Sequence, residues 1–206
     1  NHIPNPENKQ AMEAICSAVI KHKADLGIIF DTDVDRAGAV DCDGKEINRN
    51  VLIALISAIL LEERGGAYIV TDSVTSDGLA EFIQSRGGIH FRYKRGYKNV
   101  INKAIELNKE GKYCPLAIET SGHAALKENY FLDDGAYLIV RLLIKMAQLK
   151  KQGKKLNDLI KDLKAPLEEK EFRLNLLLDD FKAYGQSIID KLKKHAESGG
   201  DFVPAK

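Results

Sequence analysis

Residues 67–118, AYIVTDSVTSDGLAEFIQSRGGIHFRYKRGYKNVINKAIELNKEGKYCPLAI, decide the fold. Short apolar runs at Ala67–Thr71, Ile89–Tyr93 and Pro115–Ile118 alternate with longer stretches at Asp77–Arg86 and Lys98–Glu110. In the longer stretches apolar residues recur every three or four positions, the period of an amphipathic helix, whereas the short runs fit buried strands. Gly87-Gly88 and Gly111 mark the helix ends. Strands separated by such helices predict an α/β layer structure, a mixed and largely parallel sheet flanked by helices. In sheets of this kind the loops leaving the carboxyl ends of strands usually form the site.

The pattern extends to both sides. Asn5-Pro6 supplies a helix cap followed by Pro at a first helical position, and Met12, Ile15, Cys16, Val19 and Ile20 predict a helix over 6–23. Leu26–Phe30 reads as a buried strand feeding a loop that starts at Asp31. Asp43-Gly44 between Ala39-Val40 and Glu46-Ile47 is a hairpin signal. Asn48 is placed to cap a helix at about 50–64, closed by Gly65-Gly66. Beyond the quoted stretch, a long helix is predicted at Asp134–Leu149 and a linker start at Lys150–Lys155. A short helix near 156–163, an alternating strand at Phe172–Leu178 and an amphipathic helix at Phe181–His195 complete the reading.

Composition narrows the function classes. The 31 basic residues nearly cancel the 30 acidic ones, so no global field favours nucleic acid or an anionic membrane as partner. The longest apolar run, Val51–Leu61, is well short of a membrane span. Cys16, Cys42 and Cys114 are odd in number and far apart, which argues against a disulfide framework and for a reducing, cytoplasmic setting. The chain opens at Asn1 without a methionine and stops soon after Gly199-Gly200-Asp201, so both ends are expected to be cuts in a longer protein.

Two loops carry chemistry. The first is Asp31-Thr32-Asp33-Val34-Asp35-Arg36. Alternate residues of an extended segment point the same way, so Asp31, Asp33 and Asp35 can converge. Three carboxylates with no His or Cys beside them suit a hard cation, Mg²⁺ rather than Zn²⁺. A solvated acidic turn is the plainer alternative. The strand-Asp-x-Asp spacing also fits a phosphatase of the haloacid dehalogenase type, with Asp31 as nucleophile. An EF-hand is excluded, because Arg36 and Cys42 stand where Gly and Glu are required.

The second loop is Glu119-Thr120-Ser121-Gly122-His123, which follows the strand at Pro115–Ile118. A carboxylate and a hydroxyl in fixed geometry can hydrogen-bond vicinal sugar hydroxyls. The alternative is an ordinary corner with its polar groups satisfied locally. Thr71–Asp77 reads as a helix cap built on Ser76 or Thr75 ahead of a ligand contact. His2, His22, His90 and His195 lack partners at ligand spacing. Arg92, Lys94, Arg95 and Lys98 form either a solvated face or a phosphate-facing cluster.

Taken in order, these motifs resemble the α-D-phosphohexomutases, the phosphoglucomutase/phosphomannomutase family. Its members carry a metal loop DGDxDR, here DTDVDR, and a sugar loop GExSG(H), here IETSGH. One branch of the family has FDTDVDR, TDSVTSDGL, KRGYKNVI and IETSGH, as this chain does at 30–36, 71–79, 94–101 and 118–123. A K-E…DDG stretch follows, here Lys127-Glu128 and Asp133-Asp134-Gly135.

The resemblance implies residues 1–48 as the end of domain two, 49–165 as domain three and 166–206 as the start of domain four. It implies Asp31, Asp33 and Asp35 as Mg²⁺ ligands, Arg36 as the catalytic arginine beside them, and Glu119, Ser121 and His123 as substrate-binding residues. Tyr97, Lys98 and Lys127 are further implied contacts. The implied substrate is a glucose or mannose phosphate, interconverted between 1- and 6-phosphate through a bisphosphate. No TxSHNP-like phosphoserine segment and no RxSGTEP-like phosphate loop occurs in the 206 residues. The expectation is therefore a central piece, inactive alone, whose partners are the missing domains of its parent. A non-catalytic sugar-phosphate-binding module is the remaining alternative.

Overall fold

The computed structural model describes residues 4–166 and 179–199, together with residues 168 and 177. The chain divides into two compact units, residues 1–167 and 168–206. The first unit holds both chemistry-bearing loops.

Its first helix, α1 (Lys9–His22), leads into an antiparallel meander of β1 (Leu26–Phe30), β2 (Ala37–Asp41) and β3 (Glu46–Ile47). Phe30 pairs with Ala37, so the six intervening residues 31–36 form the turn of a hairpin. Met12 and Val19 of α1 pack on Val40 to make a small core of their own.

After α2 (Arg49–Glu63) comes the alternation expected from the sequence: β4 (Tyr68–Asp72), α3 (Asp77–Ser85), β5 (Ile89–Tyr93), α4 (Tyr97–Lys109) and β6 (Leu116–Ile118). β7 (Ala124–Leu126) and α5 (Gly135–Lys150) then complete the unit. The sheet order is β5-β4-β6-β7, with β4 parallel to β5 and β6, and β7 antiparallel to β6. Side chains on the strands alternate between two cores, as a pleat requires. Ile69, Leu116, Ile118, Ala124 and Leu126 join α2, α3 and α5 in the large core, while Val70, Ala117 and Ala125 meet Val100, Ala104 and Leu107 of α4. Leu52–Leu61 of α2 is buried on every side, which explains why this helix is apolar all round. Ala37, Ala39 and Ile47 of the meander pack in the same large core.

Several local expectations are corrected. α1 begins at Lys9 because Asn8, not Asn5, accepts the capping bond from the Ala11 amide. Asn48 occupies the N-cap of α2 but its amide donates to Glu46 Oε2 instead of capping. The short helix near 156–163 reduces to a single 3₁₀ turn, Leu156–Leu159. Strand β7 was not foreseen, since three residues are too few to show a period. Ser76 caps α3 as expected, accepting from the Leu79 amide. The predicted strand at Phe172–Leu178 and His2 lie outside the described residues. In the second unit, α6 (Phe181–Glu197) starts at a cap made by Asp180 and buries none of its residues. No described helix is long and apolar enough to cross a membrane.

Candidate functional site

The acidic loop is organised around Arg36. Asp31 follows β1 and is nearly inaccessible; its Oδ2 accepts from Arg36 Nε at 2.5 Å and its Oδ1 from the Arg36 amide at 3.1 Å. Arg36 also faces Asp35 Oδ1 at 3.7 Å and Glu7 Oε2 at 3.8 Å. Val34 sits at φ 65°, a costly conformation for a β-branched residue that the loop imposes. One oxygen from each of Asp31, Asp33 and Asp35 lies within 4.8 Å of the others, with Asp33 exposed. Two ligands of one Mg²⁺ lie at most about 4.2 Å apart, twice the metal–oxygen bond. The trio therefore needs only a small closure to share a hard cation, and each carboxylate oxygen keeps a lone pair for it.

The charge states inside this loop diverge. Burial works against a charge on Asp31, but the amide and guanidinium of Arg36 more than offset it and hold the carboxyl below its ordinary range. Asp35 goes the other way. Burial raises it, and Asp31 adds to the effect although His123 opposes it.

The ETSGH turn lies at the end of β6. Glu119 is 4% exposed; its Oε1 accepts from the Gly96 amide at 2.6 Å, and Ser121 Oγ stands 3.4 Å from Oε2. Burial pushes the Glu119 carboxyl up. Thr120 Oγ1 donates to Asp72 Oδ2 at 2.7 Å. His123 Nδ1 is 2.8 Å from Asp133 Oδ2 and 3.6 Å from Asp35 Oδ2. Burial disfavours charge on this imidazole, yet the bond to Asp133 prevails and its pKa is raised. Tyr97 stacks on the same ring, with centroids 4.9 Å apart.

The two loops are joined backbone to backbone. Arg36 and His123 form an antiparallel bridge, and the Ala37 amide donates to the Gly122 carbonyl at 3.2 Å. Gly122 has φ 103°, and a Cβ there would stand 2.7 Å from the Ala37 carbonyl oxygen. Gly135, at the start of α5, gives its amide to the Val34 carbonyl at 3.0 Å, and a Cβ there would meet Arg36 C and Val34 O at 2.9 Å. Contact this close is open only to glycine. The acidic loop belongs to the antiparallel meander and reaches the second loop through these contacts.

Of the remaining sequence candidates, Tyr97 and Lys98 stand beside the turn, with Lys98 Nζ 5.7 Å from the Tyr97 ring centroid. Lys127 does not. β7 carries the chain back down the sheet, so the Lys127 amide bonds the Pro115 carbonyl at the opposite end of β6, and its Nζ lies over Tyr113. Arg92 is tied to Thr75 and Asp77. His90 is not an ordinary surface residue: it bonds Thr71 Oγ1 at 2.8 Å, and burial lowers its pKa to about 4. Asp72, Thr120 and Asp133 lie within the quoted motifs, but sequence reasoning gave none of them a role of its own. The sequence signals for Asp72 were its place at the end of an apolar strand and in the TDSVTSDGL motif. A groove of about 250 Å³ between Leu26, Cys42, Met146 and Leu156 lies at the other end of the meander and contains none of these residues.

Residues 48–166 match the phosphoglucomutase/phosphomannomutase alpha/beta/alpha domain III, and residues 1–44 match domain II of the same family. The chain belongs to that family. A phosphoglucomutase from Neisseria meningitidis serogroup A is 31% identical over 201 residues, covering 97% of this chain and 41% of the relative. A phosphomannomutase/phosphoglucomutase from Pseudomonas syringae pv. tomato is 32% identical over 200 residues, 97% of this chain and 40% of its own length. The crystal structure of a phosphoglucomutase/phosphomannomutase family protein from Burkholderia thailandensis superposes with a TM-score of 0.69 at 31% identity, over 80% of this chain and 34% of that one. The chain thus spans about two fifths of the length of the curated relatives it matches.

Proposed function

We propose that this chain is the central part of a phosphoglucomutase/phosphomannomutase that interconverts hexose 1- and 6-phosphates through a bisphosphate. In this reading residues 1–48 close domain two, 49–165 form domain three and 166–206 begin domain four. The observation that supports it is the bridge between Arg36 and His123, which brings the aspartate loop against the ETSGH turn.

Asp31, Asp33 and Asp35 are the residues that would hold Mg²⁺, which when bound offsets charge on a transferring phosphoryl group. Arg36 adds a fixed positive charge beside them. Glu119 Oε1 is held by Gly96 and Oε2 accepts from Ser121 Oγ, which leaves a lone pair on Oε2 and those of Ser121 Oγ to accept from vicinal hydroxyls. Holding the sugar by its hydroxyls lets either phosphate-bearing end face the cation, the positioning that such a transfer needs. His123, Tyr97 and Lys98 border the same edge. The cytoplasmic setting is part of the same reading, since three cysteines far apart in sequence suit a reducing compartment. The phosphatase reading has less support, because residues 48–166 and 1–44 match domains III and II of the phosphoglucomutase/phosphomannomutase family.

Isothermal and NMR titrations of the chain with glucose 1-phosphate in the presence of Mg²⁺ test this. Weak binding lost in Glu119→Gln and Ser121→Ala, with no conversion to the 6-phosphate, is expected. Binding indifferent to both substitutions, or turnover by the chain alone, would overturn the proposal.

A further inference from the structure

Asp72 is the least accessible carboxylate in the neighbourhood, with 0% of its surface exposed. It ends β4, between β5 and β6, and so lies between the two loops that supply Gly96 and Glu119. One oxygen, Oδ2, accepts from Thr120 Oγ1 at 2.7 Å; the other, Oδ1, is buried and has no hydrogen-bond partner among the described residues. An orphaned carboxylate oxygen is expensive to bury. A residue that only filled space here would be apolar.

Thr120 stands between Glu119 and Ser121, the two side chains assigned above to sugar hydroxyls. Its hydroxyl is bound 48 positions upstream in sequence, so the turn is fastened to the sheet from beneath and not by its own backbone alone. Gly96 fastens the same turn from the side through Glu119 Oε1. We propose that Asp72 is the positioning residue of the sugar turn: by holding Thr120 it keeps Glu119 Oε2 and Ser121 Oγ facing one ligand. The inference rests on the function proposed above and names how its specificity loop is set.

Burial raises the Asp72 carboxyl, as it does Glu119, while the hydroxyl and amide of Thr120 and then the charge of Arg95 oppose it. The two buried acids also repel each other, so the Thr120 bond holds Asp72 in place against that repulsion.

The test is a titration of the 206-residue chain with glucose 1-phosphate, followed by amide NMR, for the native sequence and for Asp72→Ala, Asp72→Asn, Thr120→Val and the double variant Asp72→Ala/Thr120→Val. Asp72→Ala and Thr120→Val should each weaken binding roughly fivefold to tenfold, and the double variant no more than either alone, the mark of one shared interaction. Asp72→Asn keeps an acceptor for Thr120 and should stay within about twofold of native. Mg²⁺ shifts at residues 31–36 should be unchanged throughout, which separates positioning from general loss of structure. If Asp72→Ala fails to fold, Thr120→Val and Asp72→Asn still decide. Native binding with Thr120→Val unaffected, or additive losses, overturns the positioning role alone. No binding by the native chain overturns the proposed function and this inference with it.

Discussion

The acidic loop and the ETSGH turn each contain a buried carboxylate, and the fold treats them in opposite ways. Asp31 is paired with Arg36 through two bonds and its carboxyl is held down. Glu119 and Asp72 receive neutral donors, the Gly96 amide and the Thr120 hydroxyl, and burial pushes both up. The first arrangement keeps negative charge in place for a cation to meet. The second favours hydrogen bonding over charge, which suits the recognition of hydroxyl groups. Two loops within one bridge of each other thus carry different chemistry.

The strongest way to break the comparison is to force the loops apart. Gly135→Val would drive a side chain into Val34 and Arg36, and should cost about 1–3 kcal/mol of stability. Chemical denaturation gives the loss, and amide shifts at 31–36 show whether the acidic loop moves. A smaller effect is expected from Arg36→Met. It leaves Asp31 buried without its cation; because Arg36 is about a quarter exposed, the loss should fall well below that of a fully buried pair, at about 1–2 kcal/mol. The same variant should abolish the fall in native stability as pH drops through the depressed range of Asp31.

The sign of pH dependence sharpens the contrast further. A carboxyl raised in the folded state binds protons more tightly there than in the unfolded chain. Its charging therefore removes stability as pH climbs from the ordinary carboxylate value toward the folded one. Urea midpoints for Glu119→Gln and Asp72→Asn should lose that decline, whereas Asp31→Asn should lose a gain over the lowest pH range. The last pH effect expected concerns His90. With its folded pKa near 4, it stays neutral when folded but charges when unfolded, so stability should rise with pH between about 4 and 6.5. His90→Asn should flatten that rise.

Much of this was readable from sequence wherever a period or a charge pattern spans enough residues. The β4–β6 alternation and α5 carry several turns or a full strand each, and their ends lie within a residue or two of expectation. Failures came where a single contact decided. Asn5 and Asn8 are both credible caps, and only the position of Ala11 chooses between them. β7 is three residues long and hides in GHAALKE, yet it determines that Lys127 points away from the turn. The pairing of Asp72 with Thr120 joins distant segments and leaves no local trace. His123 and Asp133 are ten positions apart, and both were visible as motif letters without any sign that they touch. The closeness of the two loops followed from family resemblance, but its physical basis, two glycines that admit a neighbouring backbone, is seen only in three dimensions.

The central claim is that the aspartate trio and the ETSGH turn are one site. Titrating Mg²⁺ into the chain while following backbone amides tests it most directly. Residues 31–36 should shift together with Gly122 and His123 along a single binding curve, and Asp33→Asn should weaken all of them in step. Shifts confined to the acidic loop, with Gly122 and His123 unmoved at saturation, would contradict it.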